Sequence, residues 1–125
     1  MSKLIIPFGA ALLALVAGGA YWWLSSLDER THRAVVTSHL NDPDSAKFRN
    51  VMRGTRDPEV WCGEINARNR MGGMVGFRPY VAYVKTDRSQ DYADQLFVQP
   101  DEDGRGGIGI ESVADFRSKW NAVCR

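Results

Sequence analysis

Twenty-one consecutive residues, LIIPFGAALLALVAGGAYWWL from Leu4 to Leu24, carry no charged side chain. At 1.5 Å per residue a helix over this run is roughly 31 Å long, about the thickness of a bilayer's hydrocarbon core. The run is therefore long enough to span a membrane. Of the 125 residues, those that remain after it have room for one small domain.

A basic start (Met1, Lys3), an apolar stretch and the small residues AGGA also describe a cleavable signal peptide, with cleavage after Ala20. The apolar run continues past that point through Tyr21, Trp22, Trp23 and Leu24. Aromatic rings of this kind concentrate where a membrane meets water, which favours an uncleaved anchor over residues 1–25 and an exported domain over residues 26–125. Mass spectrometry of the membrane fraction is expected to find Met1 or Ser2 at the amino terminus; a chain beginning at Tyr21 would mean a signal peptide. Lys3 and the amino group precede the span, and although Arg30 and Arg33 follow it, the reading is a single pass in an inner membrane with the domain in the periplasm.

Only two cysteines are present, Cys62 and Cys124, both in the exported part. An even pair outside the cytosol reads as a disulfide. The alternative is two buried free thiols.

Beyond the span, Ser26 and Glu29 form a capping-box pattern, and Val35, Val36, His39 and Leu40 recur at helical spacing, predicting a helix from about Leu27 to Asn41 that either continues from the span or breaks from it at Ser25–Ser26. NDPDSAKF predicts a short second helix with Asp42 as N-cap and Pro43 at its first position. Four strands follow, over Phe48–Arg53, Glu59–Arg70, Phe77–Thr86 and Asp94–Gln99, each rich in β-branched or aromatic residues and bounded by turn formers. In the second, Trp61, Ile65 and Ala67 share one face, and Glu64, Asn66, Arg68 and Arg70 the other. Cys62 falls with the polar set, so Gly63 is a candidate bulge. Ser112 and Asp115 begin a last helix bearing Val113, Phe116, Trp120, Val123 and Cys124 on one side. The expected fold is α+β: a roughly four-stranded antiparallel sheet packed by an N-terminal helix pair and a C-terminal helix.

The segment NARNRMGGMVGFRPY connects the second and third strands, with Gly72 and Gly73 at the turn. Met71, Met74 and Val75 then lie at or near a hairpin tip, with Arg68, Arg70 and Arg78 below. Adaptable methionines beside arginines suit recognition of a protein surface. The competing reading folds the loop back onto its own sheet, with Met and Val filling a gap beside Phe77.

The blocks LNDPDSAKFRNV (Leu40–Val51) and CGEINARNRMGGMVGFRPYVAYV (Cys62–Val84) resemble a family of short exported or membrane-anchored proteins of bacteria and their phages, of unknown function. The resemblance covers roughly residues 40–85. It implies a shared fold and a prophage-type envelope setting, and supplies no activity, cofactor or catalytic residue.

Residues with catalytic or metal-binding chemistry do not assemble into a pattern. His32 and His39 lie two helical turns apart without a cysteine or carboxylate at ligand spacing. DEDGRGGIGIES, Asp101–Ser112, resembles a calcium loop in Asp101, Asp103 and Gly106, but Arg105 stands where an oxygen ligand belongs and Ser112 replaces the bidentate glutamate. An acidic glycine-rich turn is the better account, and neither cofactor nor metal is expected. No nucleophile elbow or phosphate loop is present. Glu64 and Glu111 could serve a small cell-wall hydrolase only if the fold set them across a cleft.

Charge is segregated along the chain. Residues 47–88 hold nine basic and four acidic side chains, whereas residues 89–115 hold seven acidic side chains against Arg105 alone. Either the two stretches pair across the surface, or the first forms a basic face for an anionic partner. Taken together, the expectation is a non-enzymatic, membrane-anchored binding module that engages another envelope protein, as an exclusion or immunity factor does. Its contacts are that protein and membrane lipid, with neither nucleic acid nor a small-molecule substrate. A structural subunit of a membrane assembly, packed through Gly9, Gly18 and Gly19, is the alternative.

Overall fold

The computed structural model describes residues 8–84 and 94–125. Met1, Lys3, the first four residues of the expected span, and Lys85, Thr86 and Arg88 lie outside the described residues. Contacts divide the chain into two units, residues 1–31 and residues 32–125.

Helix α1 runs from Phe8 to Ser38 without a break. Its N-terminal part is long and apolar enough to cross a membrane, and Leu13, Leu15, Tyr21 and Trp22 are all exposed on it. The expected capping box at Ser26 does not form. Ser26 Oγ instead donates to Trp23 O at 2.7 Å, and Ser25 Oγ to Trp22 O at 2.9 Å. The reason is local: the surrounding residues include no glycine or proline to stop the helix, so each serine bonds back to its own helix rather than starting a new one. The expected helix pair is therefore one helix followed by a single 3₁₀ turn, Pro43–Ser45. Pro43 does open that turn, but Asp42 makes no side-chain cap.

The sheet is an antiparallel meander, β1 (Lys47–Arg53), β2 (Val60–Asn66), β3 (Arg78–Tyr83) and β4 (Gln95–Val98), in that spatial order. Helix α2, Val113–Val123, begins as the sequence indicates, with Asp115 N donating to Ser112 Oγ at 3.1 Å. Both faces of the sheet are covered. Trp61, Ile65, Tyr80, Ala82, Leu96 and Val98 form one core with Val36 from the end of α1. Val60, Cys62 and Val81 form the other, closed by Phe116 and Cys124. The face carrying Cys62 is thus buried under α2, and the Cys62–Cys124 disulfide crosses that layer with a Cα separation of 6.0 Å.

The irregularity lies in β1 rather than at Gly63. Arg49 pairs with Glu64 and Met52 with Cys62, so Asn50 and Val51 together oppose Gly63. Asn50 takes φ 53°, a left-handed conformation that asparagine tolerates better than most residues. Gly63 has a different task. It pairs with Tyr80, and a Cβ there would lie 3.1 Å from the Tyr80 ring and 3.2 Å from Val51 Cα. Tyr80 is fully buried, and its hydroxyl is 2.8 Å from His32 Nε2. His32 is itself buried, stacked on Trp61 at 4.5 Å between centroids. Gly63→Val is expected to destabilise the domain by roughly 1–3 kcal/mol through overpacking, read from urea unfolding; an unchanged midpoint would show that Tyr80 has room to move.

The turn after β1 also grips α2. Thr55 N donates to Val123 O at 3.1 Å, satisfying a carbonyl that the helix end leaves open, and Thr55 Oγ1 donates to Arg125 O at 2.8 Å. Gly54 lies so close that a Cβ would meet Val123 O at 2.9 Å.

Candidate functional site

β2 ends at Asn66, so Arg68 and Arg70 belong to the connection between β2 and β3 rather than to a strand face. The connection is an ordered turn built on Asn69. Its Oδ1 accepts from Met71 N at 3.0 Å and Gly73 N at 3.1 Å, while its backbone closes on Gly73 O at 2.9 Å and Gly72 N at 3.0 Å. This is the asparagine turn that a side-chain carbonyl builds by imitating backbone. Gly72 supplies the left-handed step, with φ 83°. Beyond the turn, Arg68 and Met74 form an isolated bridge, and Gly76 N donates to Asn66 Oδ1 at 3.0 Å.

The turn presents its apolar side chains to solvent. Met71 is 93% exposed, and Met74 and Val75 are each 43% exposed. The fold-back reading therefore does not hold for Met71. A second anchor holds the tip from the side: Ser45 Oγ accepts from Arg68 N at 2.8 Å and donates to Asp42 O at 2.8 Å. Arg70 Nε donates to Asn41 Oδ1 at 3.2 Å. Asn69→Ala removes two acceptor bonds at once, and faster amide exchange at Met71 and Gly73 with little change in global stability is expected.

Arg78 shares the groove beside the tip with Arg68, but its guanidinium is engaged elsewhere. It is largely buried, with Nη2 on Asp101 Oδ1 at 2.7 Å and Nη1 donating to Arg105 O at 3.2 Å. It clamps the acidic turn after β4, where Gly106, at φ 69°, leaves room for the guanidinium; a Cβ there would sit 2.6 Å from Nη1. Asp101 is thus engaged by an arginine, which opposes the calcium-loop reading of this segment. The Arg78–Asp101 pair also joins the basic and acidic stretches of the chain.

Beside the tip lies a groove of about 190 Å³, walled by Leu40, Ala67, Val75, Val98 and Ile108 and bordered by Arg68 and Asn41. It is smaller than the roughly 300 Å³ at which small-molecule sites begin. It suits one large side chain.

Glu64 and the two histidines are placed elsewhere. Glu64 accepts from Arg49 Nε at 2.9 Å, Arg49 Nη2 at 3.0 Å and Asn50 Nδ2 at 2.7 Å. The Arg49 bonds, then the Asn50 bond, hold its carboxyl below the ordinary value of 4.5. A carboxyl lowered in this way contributes stability that is complete above the unfolded value and is lost as pH falls through the folded one. Melting temperature should therefore drop on acidification below about 4.5, and drop less in Glu64→Gln; parallel curves would mean that the cluster adds nothing. His32 is buried whereas His39 is exposed, so the two do not face one site. Among the described residues, no group of three or more metal-ligating side chains converges.

No protein-family model, curated protein or solved structure matches this chain. The sequence brought out Arg68, Arg70, Met71, Gly72, Gly73, Met74 and Val75. It did not bring out Asn69, Asn41 and Ser45, which fix their geometry. Asn69, shortly before the Gly-Gly pair, was the readable signal, because asparagine so often builds turns; Asn41 and Ser45 are brought in by tertiary folding.

Proposed function

We propose that this protein is a non-enzymatic, membrane-anchored binding module whose periplasmic domain engages another envelope protein through the tip between β2 and β3. The observation that carries this reading is Met71, almost fully exposed on a turn held by the Asn69 bonds. Exposing an apolar side chain on an ordered, tethered turn suits a partner surface, since preorganisation lowers the ordering cost of association. The apolar α1 and the disulfide support an inner-membrane anchor with the domain in an oxidising compartment. A prophage-type exclusion or immunity factor is the biological form this reading takes, in keeping with the resemblance of the 40–85 block.

A photocrosslinking residue at position 71 of the full chain, in cells, tests it. One discrete adduct with an envelope protein, absent when the probe stands at Lys119 on α2, is the expected result. Adducts of equal yield from both positions would refute it.

The bare span favours a second reading, a subunit of a membrane assembly. A Cβ at Gly9, Gly18 or Gly19 would meet nothing within 4 Å, leaving the backbone open to close approach by another helix. Gly18→Leu with Gly19→Leu should then disperse the assembly while leaving crosslinking from position 71 intact. The hydrolase reading gains no support from Glu64, since a carboxyl held low by Arg49 is a poor proton donor near neutral pH.

A further inference from the structure

The groove beside the tip has two features that identify the chemistry of its occupant. Its walls are aliphatic, with Leu40, Val75, Val98 and Ile108 facing a space of about 190 Å³. Its border is cationic. Arg68 lines it and lies 3.9 Å from Asp42, the outer limit of an ion pair. Arg70 bonds Asn41, another lining residue, and among the described residues has no carboxylate partner. Arg78, which also lines the groove, is already engaged with Asp101, so Arg68 and Arg70 carry the charge left over for a ligand.

We infer that the groove binds an acidic segment of the partner protein, taking one apolar side chain between Leu40, Val75 and Ile108 while carboxylates beside it meet Arg68 and Arg70. This rests on the tip being the contact surface and adds what it contacts. Small size argues against a lipid tail, whose chain would outrun the space. A guanidinium pairs with a carboxylate in a planar, directional fork, so acidic side chains next to the apolar one would fix the direction in which the segment lies. The outer strand edges are poor alternatives for an added strand. β1 is bulged and carries Lys47, Arg49 and Arg53, and the free side of β4 is met at Val98 by Ile108.

The test is a selection of displayed random dodecapeptides against the full chain in nanodiscs of neutral lipid. Binders enriched in Asp and Glu around a single Leu, Ile, Met or Phe are expected. Their affinity should fall about tenfold in Arg68→Glu/Arg70→Glu, from the loss of two charge pairs at a partly exposed border, and similarly in Val75→Trp, which fills the groove. Both variants alter exposed positions, and their melting curves check that the domain is intact. Enrichment of basic or uncharged peptides, no binders at all, or binders indifferent to both variants would overturn the inference. So would a dependence on these arginines seen only with vesicles of phosphatidylglycerol. If crosslinking from position 73 persists in both variants and is lost when Met71 and Met74 are changed to serine, the tip reading stands and this inference falls; if crosslinking survives every change, both fall.

Discussion

Replacing Cys62 and Cys124 with alanine together is expected to cost about 4 kcal/mol, the chain-entropy value for a loop of this length. The bridge joins residues 62 apart in sequence, so in its absence the unfolded chain regains the freedom of well over half of the domain. Small domains hold roughly 5–15 kcal/mol in total, and at this size each kcal/mol moves the melting temperature by about 4–8 °C. A drop on the order of 20 °C should therefore appear in a thermal melt, and a similar one on reduction. The loss is concentrated where α2 meets β2. Phe116 and Val60 share that layer with the sulfurs, and the Thr55 bonds to Val123 and Arg125 are the other tie at the same end. Amide exchange should thus accelerate first in α2, ahead of the central strands. A drop of only a few degrees would mean that packing of Phe116 and the Thr55 clasp hold α2 without the bridge.

The elements legible in the sequence are those whose signal is local. Four strands, their antiparallel pairing, the Ser112 cap and the disulfide pair all follow from alternation, turn residues, an N-cap pattern and cysteine arithmetic. Other local signals leave alternatives open that their neighbours decide. Ser26 and Glu29 look like a helix start, but the apolar helix before them is already running, and propagating a helix costs less than nucleating one. Cys62 falls among polar residues in the alternation of β2, which marks a solvated face only where one face of a strand is open to water. With α2 on one side and the end of α1 on the other, both faces of β2 are interior, and alternation ceases to distinguish them. The bulge is a third case. The extra residue appears in β1, at Asn50 and Val51 opposite Gly63, and Gly63 itself is kept small by the Tyr80 ring across the sheet, a contact between strands that no property of β2 alone reveals. At the tip, residue types are legible and support is not, since Ser45 and Asn41 reach it through tertiary contacts with residues 23 and 29 positions away in sequence.

If the tip is the contact surface proposed for it, replacing Met71, Met74 and Val75 together with serine is expected to abolish partner capture while leaving the domain folded. Met71 is 93% exposed and the other two are each 43% exposed, so little buried apolar area is lost, and surface changes of this kind usually shift stability by no more than about 0.5 kcal/mol each. The turn should survive because its bonds run from Asn69 to backbone groups of Met71 and Gly73, which serine retains. Partner binding should not survive, because exposed thioethers at a tip supply adaptable apolar contact that a hydroxyl cannot. The melting temperature is therefore expected within a few degrees of the parent, with crosslinking from a neighbouring position, Gly73, falling at least tenfold. Unfolding of the triple variant would assign the three side chains to the domain's own packing. A folded variant that still captures its partner would move the contact surface away from the tip. The search would then turn to the space of about 240 Å³ near Phe116, Arg117 and Trp120, because the face around Glu64 and Asn66 is already occupied by Arg49, Asn50 and the Gly76 amide.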